Sequence, residues 1–503
     1  MSRINVLNMT FAYDGSYDNI FNDVSFHIDT DWKLGFCGRN GRGKTTFLKL
    51  LMGQYEYQGT ITASVAFEYF PFTITNPKQS ALEIIADIAP EAQEWQIQKE
   101  LYKLDLTDEI INRPYETLSN GEQTKALLGG LFLRENCFLL IDEPTDHLDM
   151  AGRETVARYL NGKSGFILVS HDRAFLDGCI DHILSINKTD IEIQQGNFSS
   201  WQRNKQLKDD FELSENTRLK KEISHLETAA RRTERWSDHA ERLKVGIDPN
   251  KVDVKKGNAP YQAAKAKKMM ARSKAIRSRQ QSSIEDKSKL LHNIDAADPL
   301  KLHTLEYFTN RLLSVERLSI SYDERTIFED LTFTLEQNDR IALIGGNGCG
   351  KSSLLKLICG DDIAHDGKLS LGSRLVISYV PQDASFLSGG LDDYADKMGI
   401  DRTLFLTILR KLDFSRLQFE KNMNDFSTGQ KKKVLLARSL CEEAHLYIWD
   451  EPLNYIDVLS RMQIEDLILE YQPTLLFVEH DRAFCDNIAT KTIDFNIMAM
   501  MLA

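Results

Sequence analysis

The stretch Gly38-Arg-Asn-Gly-Arg-Gly-Lys-Thr45 decides the fold. Its spacing, G-x4-G-K-[ST], is that of a phosphate-binding loop. It follows an apolar run, Lys33-Leu-Gly-Phe-Cys37, that reads as a strand, and it opens a helical pattern from about Lys44 to Met52. Glycines at these positions let backbone N–H groups turn inward on an anion at a helix N-terminus. The candidate phosphate contacts are therefore Gly38, Asn40, Gly41, Gly43, Lys44, Thr45 and Thr46. The lysine reaches toward β- and γ-phosphates, and the Thr45 hydroxyl suits Mg²⁺.

The pattern returns 307 residues later as Gly345-Gly-Asn-Gly-Cys-Gly-Lys-Ser352. The matching candidates are Gly345, Asn347, Gly348, Gly350, Lys351, Ser352 and Ser353. Asp142-Glu143-Pro144 and Asp450-Glu451-Pro452 stand 308 apart, and His171-Asp172-Arg173 and His480-Asp481-Arg482 stand 309 apart. One offset held within two residues means two copies of one domain, at 1–200 and 309–503, with a segment 201–308 between them. Phe138-Leu-Leu-Ile141 and Phe166-Ile-Leu-Val169 read as buried strands that deliver polar residues at their C-terminal ends. This is α/β architecture, with its chemistry beyond the strand ends.

Each phosphate loop has an acidic pair at the end of an apolar run. Asp142 and Asp450 suit Mg²⁺, and Glu143 and Glu451 stand where a carboxylate can polarise an attacking water. A solvated strand end explains one such pair, but not two at matched places.

These residues resemble the ABC ATPases. Leu118-Ser-Asn-Gly121-Glu-Gln123 and Phe426-Ser-Thr-Gly429-Gln430 are similar to the ABC signature sequence, His171 and His480 to the switch histidine, and Asp149 and Asp457 to the D-loop aspartate. Gln382 resembles the Q-loop glutamine, and Tyr13 and Tyr322, 25 and 23 residues before their loops, resemble the aromatic that stacks on adenine. The resemblance implies two ATP·Mg²⁺ sites, each sandwiched head to tail. One would hold Lys44, Thr45, Asp142, Glu143 and His171, closed by Ser427 and Gly429. The other would hold Lys351, Ser352, Gln382, Asp450, Glu451 and His480, closed by Ser119 and Gly121. Gln382 would also face the metal. Both glutamates are present, so both sites are expected to hydrolyse ATP. In the first copy Phe72 stands where the glutamine belongs, and Thr145-Asp-His-Leu-Asp149 differs from Leu453-Asn-Tyr-Ile-Asp457, so the sites are expected to be unequal.

The whole chain has 503 residues, 42% hydrophobic and 27% charged, a globular composition for two to four domains. No apolar run approaches the roughly 20 residues of a membrane helix, and no signal-peptide core follows Arg3, so a cytoplasmic protein is expected. Seven cysteines without a CxxC pair fit reduced thiols, not a metal site. The net charge of −12 hides a basic island: residues 242–279 hold 12 Lys and Arg against two acids. Residues 203–241 balance nine basic against nine acidic residues, so the excess lies at a tip.

Apolar stripes at Leu219, Ile223, Leu226 and Ala230, and again at Ile284, Leu291 and Ile294, predict two long antiparallel helices over about 203–244 and 261–297. Gly246–Asn250 and Gly257–Pro260 break the pattern between them. Lys255, Lys256, Lys265, Lys267, Lys268, Arg272, Lys274, Arg277 and Arg279 are spaced to meet phosphates along a groove, with a solvated helix face as the plainer alternative. Trp236 and Tyr261 could stack on bases or close the hairpin seam.

The whole layout, two ABC domains joined by a charged helical hairpin, resembles the ABC-F family, and its N-terminal stretch resembles the Lsa-type branch. The resemblance implies a monomeric ATPase that binds the exit site of the 70S ribosome and points its linker at the peptidyl-transferase centre, rRNA and P-site tRNA. It also implies protection against lincosamides, streptogramins A and pleuromutilins. Two alternatives are a housekeeping factor that relieves stalled ribosomes and the ATPase of a membrane transporter. The basic tip argues against the transporter.

Overall fold

A computed structural model describes residues 2–13, 19–187, 190–245, 268, 275, 276, 278, 279, 300–322 and 325–495. The chain divides into two compact units, Met1–Trp201 with Ala297–Ala503, and Gln202–Ala296.

The first unit holds both copies. In the first copy six strands lie in the order Ala66–Phe70, Cys137–Asp142, Phe166–Val169, Lys33–Cys37, His182–Asn187, Asp190–Gln195. All pair in parallel except the last, which is antiparallel. The second copy repeats this with five parallel strands: Ile377–Val380, Leu446–Asp450, Leu475–Val478, Arg340–Ile344, Lys491–Asp494. A three-stranded antiparallel sheet accompanies each. Phe166–Val169 and Leu475–Val478 are buried at every residue. They are covered on both faces, which is why they read as unbroken apolar runs and not as alternation. In each sheet the parallel strands' C-terminal ends share one edge, where Asp142 stands beside the first phosphate loop and Asp450 beside the second.

The helices beside each sheet form a second apolar cluster. In the first copy Glu100, on the helix Glu94–Tyr102, accepts from Lys103 Nζ at 2.6 Å, Lys163 Nζ at 2.6 Å and Tyr159 Oη at 2.8 Å. Burial alone would raise its pKa, but these donors hold it at about 2. A carboxyl lowered in the folded state stabilises above its ordinary value of 4.5, and that contribution disappears as pH falls toward 2. Glu100→Gln should therefore lower the melting temperature at pH 7, with the gap to the parent shrinking between pH 4.5 and 2. A gap that is flat with pH contradicts this.

Residues 300–308, read from the sequence as the end of the linker, pack on the second copy. Leu300 and Leu302 are buried in its core, Leu305 N–H donates to Ala444 O, and Thr304 bridges to Ala444. A helix runs Phe198–Val245, most of it in the second unit, about 70 Å long at 1.5 Å per residue. It begins five residues before the expected start at 203. The expected return helix, Trp236's contacts and most of the basic tip lie outside the described residues or side chains. Of the nine tip cations, Lys268 and Arg279 are described, as exposed helical residues.

Candidate functional site

Each phosphate loop runs from a buried strand into a helix, Lys44–Leu51 in the first copy and Lys351–Cys359 in the second. Gly43 and Gly350 cap these helices at φ 94° and 96°. A Cβ on either would also lie 2.6 or 2.5 Å from Ile20 or Ile327, so glycine is required twice over. The buried Lys44 folds back to donate to Gly38 O at 2.7 Å and Asn40 Oδ1 at 3.2 Å. Lys351 donates to Gly345 O and Gly346 O, both at 2.8 Å. Thr46 Oγ1 and Ser353 Oγ, one residue past the metal-ligand candidates, hydrogen-bond Tyr13 at 2.7 Å and Tyr322 at 3.1 Å. Both tyrosine rings stay partly open to solvent, Tyr13 at 44% and Tyr322 at 48%.

The expected metal ligands do meet. Thr45 Oγ1 donates to Asp142 Oδ2 at 2.8 Å, and Ser352 lies close enough to Asp450 to favour its ionised form, while both Asp450 carboxylate oxygens are buried without a hydrogen-bond partner among the described residues. A hydroxyl beside a carboxylate at the phosphate loop is a hard-oxygen set that fits Mg²⁺. Tyr69 Oη also donates to Asp142 Oδ2, at 2.9 Å, a contact the sequence reading missed. The signal was there: Tyr69 and Tyr379 stand at matched places, two residues before Pro71 and Pro381. Phe72, in the glutamine's place, packs on the first copy's apolar core.

Glu143 and Glu451 both adopt φ 48°, a left-handed backbone that costs roughly 1–3 kcal/mol for such residues. The turn is fixed by Glu143 N–H to Val169 O at 2.9 Å and Glu451 N–H to Val478 O at 3.0 Å. His171 Nε2 lies 3.1 Å from Glu143 Oε1, and His480 Nε2 lies 3.2 Å from Glu451 Oε1.

The two carboxylates differ sharply in environment. Burial raises Glu143 to about 8, with Asp146 and Asp142 adding to the effect and Lys44 opposing it. Burial would raise Glu451 too, but hydrogen bonds and charge from His480, and a hydrogen bond from Gln382, hold it at about 2. Two sequence differences contribute: Asp146 repels Glu143 where the Asn454 amide donates to Glu451 Oε2 at 2.7 Å, and Gln382 lowers Glu451 where the first copy has Phe72.

Ser119 and Ser427 are N-caps. Each accepts from the backbone N–H three residues on, in a capping box, at the start of the helices Asn120–Leu131 and Thr428–Cys441. Asp149 and Asp457 cap the helices that follow them, and Asp457 also takes the Lys433 ammonium at 3.1 Å. The two copies meet across two cavities. One of about 870 Å³ has Ser119 and Gly121 on one wall and Tyr322, Gly348, Lys351 and Ser352 on the other. One of about 470 Å³ has Ser427 and Gly429 opposite Asn40, Gly41, Glu143 and His171. Both fall within the range of small-ligand sites; Lys44 and Thr45 do not line the smaller one.

Between the cavities the copies are pinned by charge. Arg153 donates to Asp172 Oδ2 at 2.8 Å and to His480 O at 3.2 Å, and Arg173 donates to Glu465 Oε2 at 2.6 Å. Asn40 Nδ2 donates to Tyr455 O at 2.9 Å. Arg173 stands in the repeated His-Asp-Arg landmark and Arg153 is matched by Arg461 at the same offset of 308, but neither was given a role from sequence.

A sequence profile of the ABC transporter family matches residues 21–146 and 328–454, just over half of the chain. The ribosome protection protein VmlR of Bacillus subtilis (strain 168) is 26% identical over 497 residues, 96% of this chain and 85% of that protein. The energy-dependent translational throttle protein EttA of Haemophilus influenzae is 24% identical, over 95% of this chain and 89% of that one. The archaeal ribosome recycling factor aABCE1, solved with the stalk protein aP1, shares the fold with a TM-score of 0.62 at 18% identity, covering 97% of this chain and 87% of that chain. Among the described residues no helix is long and apolar enough to cross a membrane.

Proposed function

Because the chain belongs to the ABC family, as a tandem ATPase of the ABC-F type, we propose that it is a ribosome-bound factor whose ATP-driven closure presents the linker to the peptidyl-transferase centre and P-site tRNA. The observation that carries this reading is the pairing of each capping serine with the other copy's phosphate loop across a cavity. Residues on both walls would hold one ATP, so binding draws the copies together and loss of the γ-phosphate loosens them.

Hydrolysis at each site is an in-line displacement. A water oxygen bonds to the γ-phosphorus, the bond to the ADP oxygen breaks, and the water's proton passes to Glu143 or Glu451. His171 and His480 keep those carboxyls in place, and Lys44 and Lys351 swing from loop carbonyls to the phosphates. Thr45 with Asp142, and Ser352 with Asp450 and Gln382, would hold Mg²⁺, which neutralises charge on the β- and γ-oxygens. The linker is read as a hairpin with a return helix at 261–297, its basic tip meeting rRNA or tRNA. In the cytoplasm a monomer would suffice, since both copies lie on one chain. Protection against lincosamides, streptogramins A and pleuromutilins is the outcome we assign to it. The name of the similar VmlR, a ribosome protection protein, supports a protective role, and the name of the similar EttA, a translational throttle protein, supports a role in translation itself.

The test is sedimentation with 70S ribosomes in the presence of a non-hydrolysable ATP analogue. Co-pelleting is expected, weakening steeply with salt. Replacing Lys265, Lys267, Lys268, Arg272 and Lys274 by glutamine should flatten the log–log salt slope by about 3–5. A chain that stays in the supernatant at low salt, or follows membranes instead, overturns the reading. Unchanged lincosamide and pleuromutilin sensitivity on deletion would leave the housekeeping role.

A further inference from the structure

The two copies differ at a pair of buried positions that the mechanism above does not use. The second copy carries Lys432 where the first has Thr124, and Glu479 where the first has Ser170. Lys432 is 2% exposed and Glu479 is 3% exposed. Long charged side chains are almost never this buried without a task or a partner.

Lys432 lies in the first turns of the helix Thr428–Cys441 and spends its ammonium on backbone. Its Nζ donates to Glu451 O at 3.0 Å, Pro381 O at 3.1 Å and Asp450 O at 3.4 Å. Those carbonyls flank the left-handed turn at Glu451 and immediately precede Gln382. Glu479 grips the same region from the other side. Its Oε1 accepts from Leu453 N–H at 2.7 Å, and its Oε2 from His480 N–H at 3.2 Å. Of the charges that favour the ionised lysine, Glu479 acts most strongly. The first copy has no such clamp: there Ser170 Oγ meets Thr145 Oγ1 at 3.1 Å, a bond between two hydroxyls.

We propose that Lys432 and Glu479 are positioning residues of the second ATP site, a buried pair of opposite charge that clamps the backbone on both sides of Glu451. The pair holds the catalytic carboxylate, its histidine and Gln382 in one arrangement before nucleotide arrives. Preorganisation of this kind acts on turnover more than on affinity, because the clamp touches no part of ATP. Both charges enter the copy together, and each adds to a buried set of opposite charges, Arg461 beside Glu479 and Glu451 and Asp450 beside Lys432. The second site is accordingly the faster of the two. This inference rests on the reading of Glu451 as the water-activating carboxylate.

The experiment uses the full chain with Glu143→Gln, so that steady-state hydrolysis reports the second site. Two double substitutions are added to it. K432T with E479S installs the first copy's residues, and K432M with E479Q keeps volume while removing both charges. Each should lower kcat about 10- to 100-fold, the scale set by small misplacement of a reacting group, with KM for ATP within about twofold. In a parallel Glu451→Gln background, which reports the first site, the loss from the same substitutions should be at least about tenfold smaller. Unchanged kcat in whichever double variant folds, a rise in KM alone, or equal losses at both sites overturns the clamp. A Glu143→Gln chain that hydrolyses no ATP at all overturns the underlying reading of Glu451 as well, and is thereby told apart from failure of the clamp alone.

Discussion

A chain carrying Glu143→Gln together with Glu451→Gln should bind ATP yet hydrolyse it about 10²–10⁴-fold more slowly, the usual scale of a lost general base. The amide keeps the shape of each carboxyl and nearly all its neighbours, including His171 at 3.1 Å and His480 at 3.2 Å, but accepts no proton from water. Both lysines and both capping serines are untouched, so the ATP-closed form still assembles. It then has no exit. Such a chain should sediment with ribosomes long after the parent has dissociated, and its expression should arrest translation and growth. Normal polysomes and normal growth in cells making the double variant would end the proposed cycle, whatever the in vitro rates.

Arg153→Ala should produce the second large effect, this time on stability. Arg153 is 7% exposed and ties together three things: Asp172 in its own copy, Leu148 O at the start of its helix, and His480 O across the interface. Truncation leaves the buried Asp172 facing Asp481 without its cation, and these two carboxylates already disfavour each other. Breaking one side of a buried pair costs about 3–5 kcal/mol. A fall in unfolding free energy of that size, read from urea denaturation, is expected, with Arg153→Lys recovering only part of it, because an ammonium cannot span three acceptors in one plane. The change also frees the carbonyl of His480, so ATP turnover at the second site should drop further than at the first. An unfolding free energy within about 1 kcal/mol of the parent value would show that the arginine pins nothing.

What was legible in the chain, and what was not, divides along a physical line. The phosphate loops were legible because their chemistry lives in backbone conformation: only glycine fits at Gly43 and Gly350, so the spacing itself carries the information. The strands Phe166–Val169 and Cys137–Asp142 were legible because full burial leaves an unbroken apolar run. Lys432 was illegible for the opposite reason. In Lys431-Lys432-Lys433 it belongs to a run that composition assigns to a solvated face, yet Lys432 and Lys433 turn inward and discharge onto carbonyls and Asp457. The unlike state of Glu143 and Glu451 rests on several neighbours at once, burial and Asp146 at the one, His480 and Gln382 at the other, and only distances set how far each pushes. The sequence did flag that these D-loop segments differ, though not which way the difference pushes. Arg153 and Arg173 depend on where two copies touch, which no pattern within one copy encodes.

Ser119 sits in the N-terminal half of the chain but lines a cavity whose opposite wall is Gly348, Lys351 and Ser352. Heredity should therefore run crosswise in this gene. Revertants that compensate a defect at Ser119 are to be looked for in the distant half, around the loop it faces, while lesions in the phosphate loop of its own half, around Asn40 and Gly41, should impair the other reaction.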